Sequence, residues 1–302
     1  MNIKTKSETQ RLLNYYEEAG PDYGHWSKNF NMHFGYYEYG VNPFDREALL
    51  DNMNKRVFEE LGSKGSPDTV LVDMGCGLGA TLRSIRSLVP KLELKGVTIV
   101  PWQVAKAREL NNLTAQSQTI QILEADYINT PLAQNSVDYV IAIESSCHAP
   151  GASKSTVLKE MHRILKPGGR FVIADGFRKT HRPLKGVLKS ANQTLCDSWV
   201  IEQLGNIIEI EKCLKTLGFK QVKKKDISWN IAPSVAHVPG TVLTFSIKQL
   251  FSNDSSMNEQ RWNNLKSPLL TMLVGLARKE FGYYLVSGTK APLANIKQFL
   301  FA

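Results

Sequence analysis

Two hydrophobic rhythms run along the chain. Short, largely apolar runs at Val70–Val72, Leu92–Val97, Ile120–Leu123, Asp138–Ile143 and Arg170–Ala174 read as strands of a buried parallel sheet. Between them, Thr81–Leu88, the stretch carrying Gln103, and the stretch closing at Met161–Gly169 with a Pro–Gly–Gly turn read as helices. Strand–helix alternation of this kind predicts an α/β fold with a doubly wound, Rossmann-like sheet. Ahead of the first strand, Leu49, Leu50, Met53, Val57 and Leu61 recur at helical spacing, which predicts one amphipathic helix from Asp45 to Leu61. Arg11–Glu18 opens another helix, carrying Tyr15 and Tyr16. Behind the fifth strand the pattern loosens. Asn206–Leu217 is helical with Gly218 as its C-cap, and Phe219–Ser228 and Phe281–Ser287 read as two more strands. The Trp229–Arg278 stretch between them is too apolar for disorder and too long for a plain connection, and reads as a helical lid.

That pattern divides the chain into a cap over residues 1–62, a nucleotide-binding core over 63–228, a lid over 229–278, and a last strand with its tail over 279–302. Within the cap, Tyr23, His25, Trp26, Phe30, His33, Phe34, Tyr36, Tyr37 and Tyr39 are spaced for neither strand nor helix. Such a cluster either fills a small core or walls a ligand pocket with flat apolar faces.

The most informative stretch joins the first strand to its helix, Asp73-Met-Gly-Cys-Gly-Leu-Gly79. Glycines at alternate positions let a ligand lie against backbone at the front edge of an α/β unit. A dinucleotide fingerprint would run G-x-G-x-x-G; here the spacing is G-x-G-x-G with an acid directly before it. The acid that binds ribose at the end of strand two in many nucleotide folds is replaced by Thr98-Ile99. Strand four ends in Glu144 and His148, and open sheets place their chemistry at such carboxyl ends.

Composition narrows the picture without naming a ligand. With 302 residues, 42% of them hydrophobic, the chain can bury a substantial core. Its net charge of +9 is spread out, with local clusters at Arg178–Lys189 and Lys220–Lys225 and no aromatic-interleaved basic stripe. A nucleic-acid partner is therefore not expected. The clusters leave open an anionic lipid surface or a phosphorylated substrate, including a diphosphate. Cys76, Cys147, Cys196 and Cys213 form no C-x-x-C pair, so neither a zinc site nor a disulfide framework is expected. The polar N-terminus has no signal-peptide core, and the apolar window Pro268–Val286 is broken by Arg278, Lys279 and Glu280. A cytoplasmic location follows as the expectation.

With these residues in place, the chain resembles the class I methyltransferases that use S-adenosylmethionine, over Leu12 to Thr289. Within that class it is most similar to the sterol C-methyltransferases and their prenyl-lipid relatives, such as the tocopherol enzymes. Asp73–Gly79 matches the cofactor loop, and Gly96-Val-Thr-Ile99 with Gln103 resembles the sterol enzymes' second strand. Ala142-Ile-Glu-Ser-Ser-Cys-His-Ala-Pro150 is nearly their run A-I-E-A-T-C-H-A-P. Asn31–Tyr37 departs from their Y-E-Y-G-W-G and F-H-F segments, so an apolar acceptor follows from the resemblance and a sterol does not.

The resemblance implies a seven-stranded sheet, S-adenosyl-L-methionine as cofactor and S-adenosyl-L-homocysteine as product. It places Asp73, Gly75, Gly77 and Gly79 at the methionine part, with Tyr16 or His33 reaching the carboxylate. Thr98, Ile99 and Gln103 fall at the ribose, and Asp126 and Tyr127 at the adenine. Glu144 and His148 are the catalytic candidates: Glu144 facing a carbocation or a substrate hydroxyl, His148 as base or hydrogen-bond donor. Tyr23, Trp26, Tyr36 and Trp199 would contact the acceptor, and no metal is implied. C-methylation of a terpenoid, sterol-like or polyprenyl substrate leads, ahead of O- or N-methylation of a phenol, sugar or amine. A non-catalytic binder on the same scaffold stays a remote third. A peripheral membrane contact and a homo-oligomer remain open as partner states.

Overall fold

A computed structural model describes residues 6–63, 65–112, 120–251 and 259–292. The cap holds α1 (Lys6–Ala19), a 3₁₀ turn at Gly20–His25, and α2 (Arg46–Leu61). The expected Asp45 start is explained by capping, since the Asp45 carboxylate accepts from the Ala48 N–H at 3.1 Å. Then follow β1 (Val70–Met74), α3 (Ala80–Leu88), β2 (Glu93–Thr98), α4 (Pro101–Asn112), β3 (Gln121–Glu124), β4 (Val137–Ile143), α5 (Ser155–Ile164) and β5 (Leu165–Arg178). After β5 come α6 (Gly186–Ser198), the two-residue β6 (Gly205–Asn206), α7 (Ile207–Thr216) and β7 (Phe219–Asp226). Three helices, α8 (Ser228–Val235), α9 (Val238–Phe251) and α10 (Glu259–Leu276), precede β8 (Phe281–Lys290). The helical insertion before the last strand is thus present. Residues 1–5 of the expected cap and 293–302 of the expected tail lie outside the described residues.

The sheet runs β3-β2-β1-β4-β5-β8-β7, with β6 paired to β5. Neighbours from β3 to β5 are parallel, and β8 is antiparallel to both β5 and β7. Adjacent strand residues point to opposite faces, and each face has its own core. Leu71, Ile141, Val172 and Leu285 pack with α2, α3 and α4 residues such as Val57, Leu82 and Val104. Val72, Val140, Ile173 and Val286 pack with α5 and α7 residues such as Leu158, Met161 and Ile210. Burial on both sides is why these strands read as continuous apolar runs.

Two local readings shift. The helix expected to close at the Pro–Gly–Gly turn stops at Ile164, and Leu165 already pairs with Val137; residues 166–169 are the irregularity between that pair and Tyr139–Arg170. Helix α6 lies in the loosened region and had no periodic signal to announce it; it packs through Leu188 and Ala191 on Val274 and Phe281. The strand order reverses between β1 and β4, and their carboxyl ends open a crevice there.

Candidate active site

The crevice is the floor of a cavity of about 550 Å³. Its walls come from the cap, the strand ends, and the three lid helices, which bring residues from Leu12 to Tyr283 together. A volume of that order accommodates a small-molecule ligand.

At one end, the turn after β1 shapes the floor. Gly75, Gly77 and Gly79 all have positive φ, of 88, 50 and 74°. A Cβ on Gly75 would lie 2.4 Å from Ser145 Cβ, so the turn can pass under the β4 end only as glycine. The Gly75 and Cys76 N–H groups both donate to the Val97 carbonyl, at 2.8 and 3.0 Å, tying the turn to β2. Asp73 lines the cavity, buried, and its carboxylate has no hydrogen-bond partner among the described residues. Burial alone pushes its pKa up to about 7. Thr98 donates its hydroxyl proton to Gln103 Oε1 at 2.6 Å, which leaves the Gln103 amide N–H groups as donors at the cavity wall.

At the other end, Glu144 sits in the left-handed region at φ 47°, a conformation that costs a non-glycine residue about 1–3 kcal/mol. Its Oε1 accepts from the Phe34 N–H at 2.7 Å and from the Tyr283 hydroxyl at 2.8 Å. Desolvation still raises its pKa to about 8, with those two donors pulling downward and the Asp175 charge adding a little upward. The 145–149 turn is held from two directions. Asp175 Oδ2 accepts from the Ser146 hydroxyl at 2.6 Å and the Cys147 N–H at 2.9 Å. The buried Lys154 ammonium donates to the carbonyls of Cys147, Ala149 and Gln203 at 2.7–2.9 Å. So positioned, His148 Nε2 meets the Tyr16 hydroxyl at 3.0 Å. Tyr15 and Tyr23 share a hydrogen bond at 3.2 Å, and burial lifts the Tyr23 phenol to about 12. Tyr16, Tyr127 and Tyr283 are likewise pushed well above the ordinary phenol value by burial, so the aromatic wall is uncharged at neutral pH.

Of the residues expected from the sequence, Glu144, His148, Tyr16, Asp73, Gly75, Gly77, Thr98, Ile99, Gln103, Tyr127, Tyr23, Trp26 and Trp199 all line this cavity. Four expected residues are placed differently. His33 lines it, but its ring nitrogens are engaged by the Phe34 carbonyl at 2.9 Å and Asn54 Oδ1 at 3.0 Å, so neither is presented to the cavity as an open donor. Tyr36 is a core residue packed with the α2 side chains Met53 and Val57 and does not wall the pocket. Asp126 lies outside the cavity, where its carboxylate accepts from the Ile128 N–H at 3.1 Å. Gly79 serves as the N-cap of α3 and is not part of the lining. Sequence reasoning missed Tyr283, Asp175 and Lys154. Asp175 stands in the carboxyl half of β5, where the strand-end rule points. Tyr283 was hidden because β8 is antiparallel, so its first residues, not its last, reach the site. None of the basic residues of the Arg178–Lys189 cluster lines the cavity; Arg178 faces Glu280 at 3.5 Å and Lys179 holds Asp226 at 2.7 Å.

Residues 72–173 match the model of the family described as "Methyltransferase domain". That match covers β1 through most of β5, the half of the sheet that builds the glycine turn and Glu144. Residues 72–173 thus form a methyltransferase domain, and the chain is similar to class I, S-adenosylmethionine-dependent methyltransferases. It is 28% identical to cycloartenol-C-24-methyltransferase of Arabidopsis thaliana, covering 74% of this chain and 66% of that protein. It is 25% identical to the O-methyltransferase resE of Aspergillus sclerotiorum, covering 86% and 89%. The chain thus spans just under two thirds of the sterol relative's length. Among solved structures, a cyclopropane synthase from Mycobacterium tuberculosis superposes with a TM-score of 0.79 at 15% identity, covering 96% of this chain and 100% of that one. Geranyl diphosphate C-methyltransferase from Streptomyces coelicolor A3(2), solved with Mg²⁺, geranyl diphosphate and S-adenosyl-L-homocysteine, gives 0.69 at 14% identity, covering 96% and 100%. At such identities these likenesses establish the shared fold.

The residues present fit the cofactor of this methyltransferase class. The Asp73 carboxylate, buried without a partner, is the complement of an amino-acid ammonium, which would restore its ordinary ionisation. The Gln103 amide can donate to a ribose hydroxyl, and Tyr127 and Ile99 offer apolar faces to a base. Among the described residues no group of His, Cys, Asp and Glu could hold a metal ion.

Proposed function

We propose that this methyltransferase alkylates an alkene carbon of an apolar terpenoid or sterol-like acceptor. The observation that carries the reading is Glu144: a buried carboxyl held by Phe34 and Tyr283 among aromatic walls, with its pKa raised to about 8. The cofactor, when bound, supplies an electrophilic methyl. The chain's own residues do the rest. The cap and lid hold the alkene in line and keep water out, which removes much of the orientational entropy from the barrier. Attack by the alkene on a sulfonium methyl would form the new C–C bond as the methyl–sulfur bond breaks, its electron pair staying on the thioether product, and would leave a carbocation on the acceptor. Glu144 faces that charge as a carboxylate held by Phe34 and Tyr283, with the tyrosine faces adding cation–π attraction. A carboxyl whose pKa lies near working pH is also suited to take the proton whose loss closes the alkene. Likeness to the Arabidopsis sterol C-methyltransferase supports the same class of acceptor.

One observation favours a second reading, methylation of a hydroxyl. The Tyr16–His148 pair could deprotonate an acceptor O–H, and the Aspergillus O-methyltransferase matches more of this chain than the sterol enzyme does. Incubation with methyl-labelled cofactor and a panel of terpenoid and phenolic acceptors, read by product mass and carbon NMR, separates the two. A new C–CH₃ signal supports alkene methylation; an O–CH₃ signal replaces it with the second reading.

A further inference from the structure

The lid helix α10 is apolar on two sides. Its inward arc, with Pro268, Met272 and Val274, lines the cavity. Its outward arc carries Trp262, Leu269, Leu273 and Leu276, which are 37, 39, 41 and 78% exposed. Their spacing confines them to a stripe roughly 60° wide on the helix surface. A lid that only faced water would be polar there. Single exposed leucines are ordinary, but several sharing one face of a helix are not. Helix α9 repeats the arrangement, with Val242 and Phe245 toward the cavity and Leu243 and Ile247, one turn apart, exposed.

Charge beside the stripe says what it meets. Helix α6, with Leu184 just before it, packs on α10 and its end: Leu184, Leu188 and Ala191 cluster with Leu270, Val274 and Ala277. Lys189 stands exposed on that helix, exposed Arg182 and Lys185 precede it, and exposed Lys279 follows α10. Arg178, Lys179 and Arg278 nearby are each within ion-pair distance of a carboxylate, whereas these four have none among the described residues. At the cavity mouth, Trp229 (77% exposed) and Leu276 both line the interior and face outward.

We propose that this lid face docks on an anionic phospholipid bilayer. The α9 and α10 stripes enter the boundary between headgroups and acyl chains, and Arg182, Lys185, Lys189 and Lys279 lie over phosphates. No described helix is long and apolar enough to cross a membrane, so the contact is peripheral. The cavity's apolar lining then continues into the lipid, and an apolar acceptor passes between bilayer and site without crossing water. A second copy suits the face poorly, because its cations would meet like charges. The surface stands whichever acceptor is methylated.

The test is sedimentation of the full chain with vesicles of phosphatidylcholine alone or mixed with phosphatidylglycerol. Expected are binding to the mixed vesicles, little to the neutral ones, and release by salt. Leu269→Glu with Leu273→Glu, and separately Lys185→Glu with Lys189→Glu, should each weaken partitioning at least about tenfold while cofactor affinity by calorimetry is kept. Quenching of tryptophan fluorescence by brominated lipid, reduced in Trp229→Phe and further in Trp229→Phe with Trp262→Phe, reads the same contact in a chain with the leucine stripe intact. Absence of vesicle binding, wild-type binding by both double variants, or no quenching overturns the proposal. So does a dimer, seen by ultracentrifugation, that the leucine pair dissolves.

Discussion

The two ends of the cavity are built in opposite ways. The end proposed for the cofactor is made by one continuous stretch, Asp73–Gly77, with Thr98 and Gln103 on the next strand and helix; its shape comes from backbone dihedrals and one carboxylate with no partner among the described residues. The acceptor end is assembled from segments far apart in the chain. Glu144 is held by Phe34 and Tyr283, and Asp22 in the cap reaches Arg261 in the lid. Local construction makes the first end independent of the lid, whereas the second exists only when cap, core and lid are folded together. Substitutions at one end should therefore leave the other end's binding step nearly intact.

The largest test of that separation is Glu144→Gln. It keeps the side chain's shape, and its amide oxygen can still accept from Phe34 and Tyr283, but it removes the charge and the base. Turnover should fall about 10³-fold, with cofactor affinity by calorimetry within about threefold of wild type. Retained turnover would show that Glu144 only anchors Phe34, and the proposed chemistry would lose its base.

Asp73→Asn is the mirror image. Losing a charge-assisted hydrogen bond should loosen cofactor binding by about 10–100-fold while turnover at saturating cofactor changes little. The same variant reads the pKa directly. Asp73 is raised to about 7 when folded, against an ordinary value of 3.8, so the cofactor-free folded state holds a proton that the unfolded chain has released. Its contribution to stability is complete below the ordinary value and is lost as pH rises through about 7. Cofactor-free Asp73→Asn should therefore melt at higher temperature than wild type at pH 8, with the gap closing by pH 4. An equal melting difference at both pH values would contradict the partnerless carboxylate.

This contrast also explains what could be read in advance. Strand order, the α2 helix and the glycine turn follow from apolar spacing and alternate glycines, because burial on both sheet faces and a tight turn each demand particular residue types locally. Glu144 and His148 were visible because a strand end places them. Tyr36 and His33 misled because aromatic density alone does not say whether a ring faces a cavity or the α2 core; Asn54, which holds His33, is 21 residues away in sequence. Asp126 misled because a strand-end carboxylate can as easily cap its own turn, as it does on Ile128. Tyr283 could not be found without knowing that β8 runs antiparallel, and Lys154 only becomes meaningful once three carbonyls are seen around it.

Tyr283→Phe sharpens the acceptor end further. It removes one of the two donors to Glu144, leaving Phe34 N–H. A lost hydrogen bond to a charged group should lower turnover about tenfold. Because that donor pulls the carboxyl's pKa down, its removal moves the acidic limb of the pH–rate profile to higher pH. A reduced rate with an unmoved limb would separate Tyr283 from the protonation of Glu144 and leave it a packing residue.

The smallest effect is expected where cap and lid meet. Arg261 Nε and Nη2 donate to the two Asp22 oxygens at 3.0 and 2.7 Å, a forked pair that joins the 3₁₀ turn to α10. Both side chains are largely buried, so cutting either alone leaves an uncompensated charge, and single variants overstate the pair. The informative comparison is a double-mutant cycle with Asp22→Asn, Arg261→Gln and both together. If the fork holds the lid over the acceptor, the double variant should raise the acceptor KM about threefold, consistent with a coupling of about 0.5–1 kcal/mol, and leave cofactor affinity unchanged. Equal losses in acceptor and cofactor binding would mean that closing the lid also shapes the backbone-built end, and the two ends would have to be treated as one site.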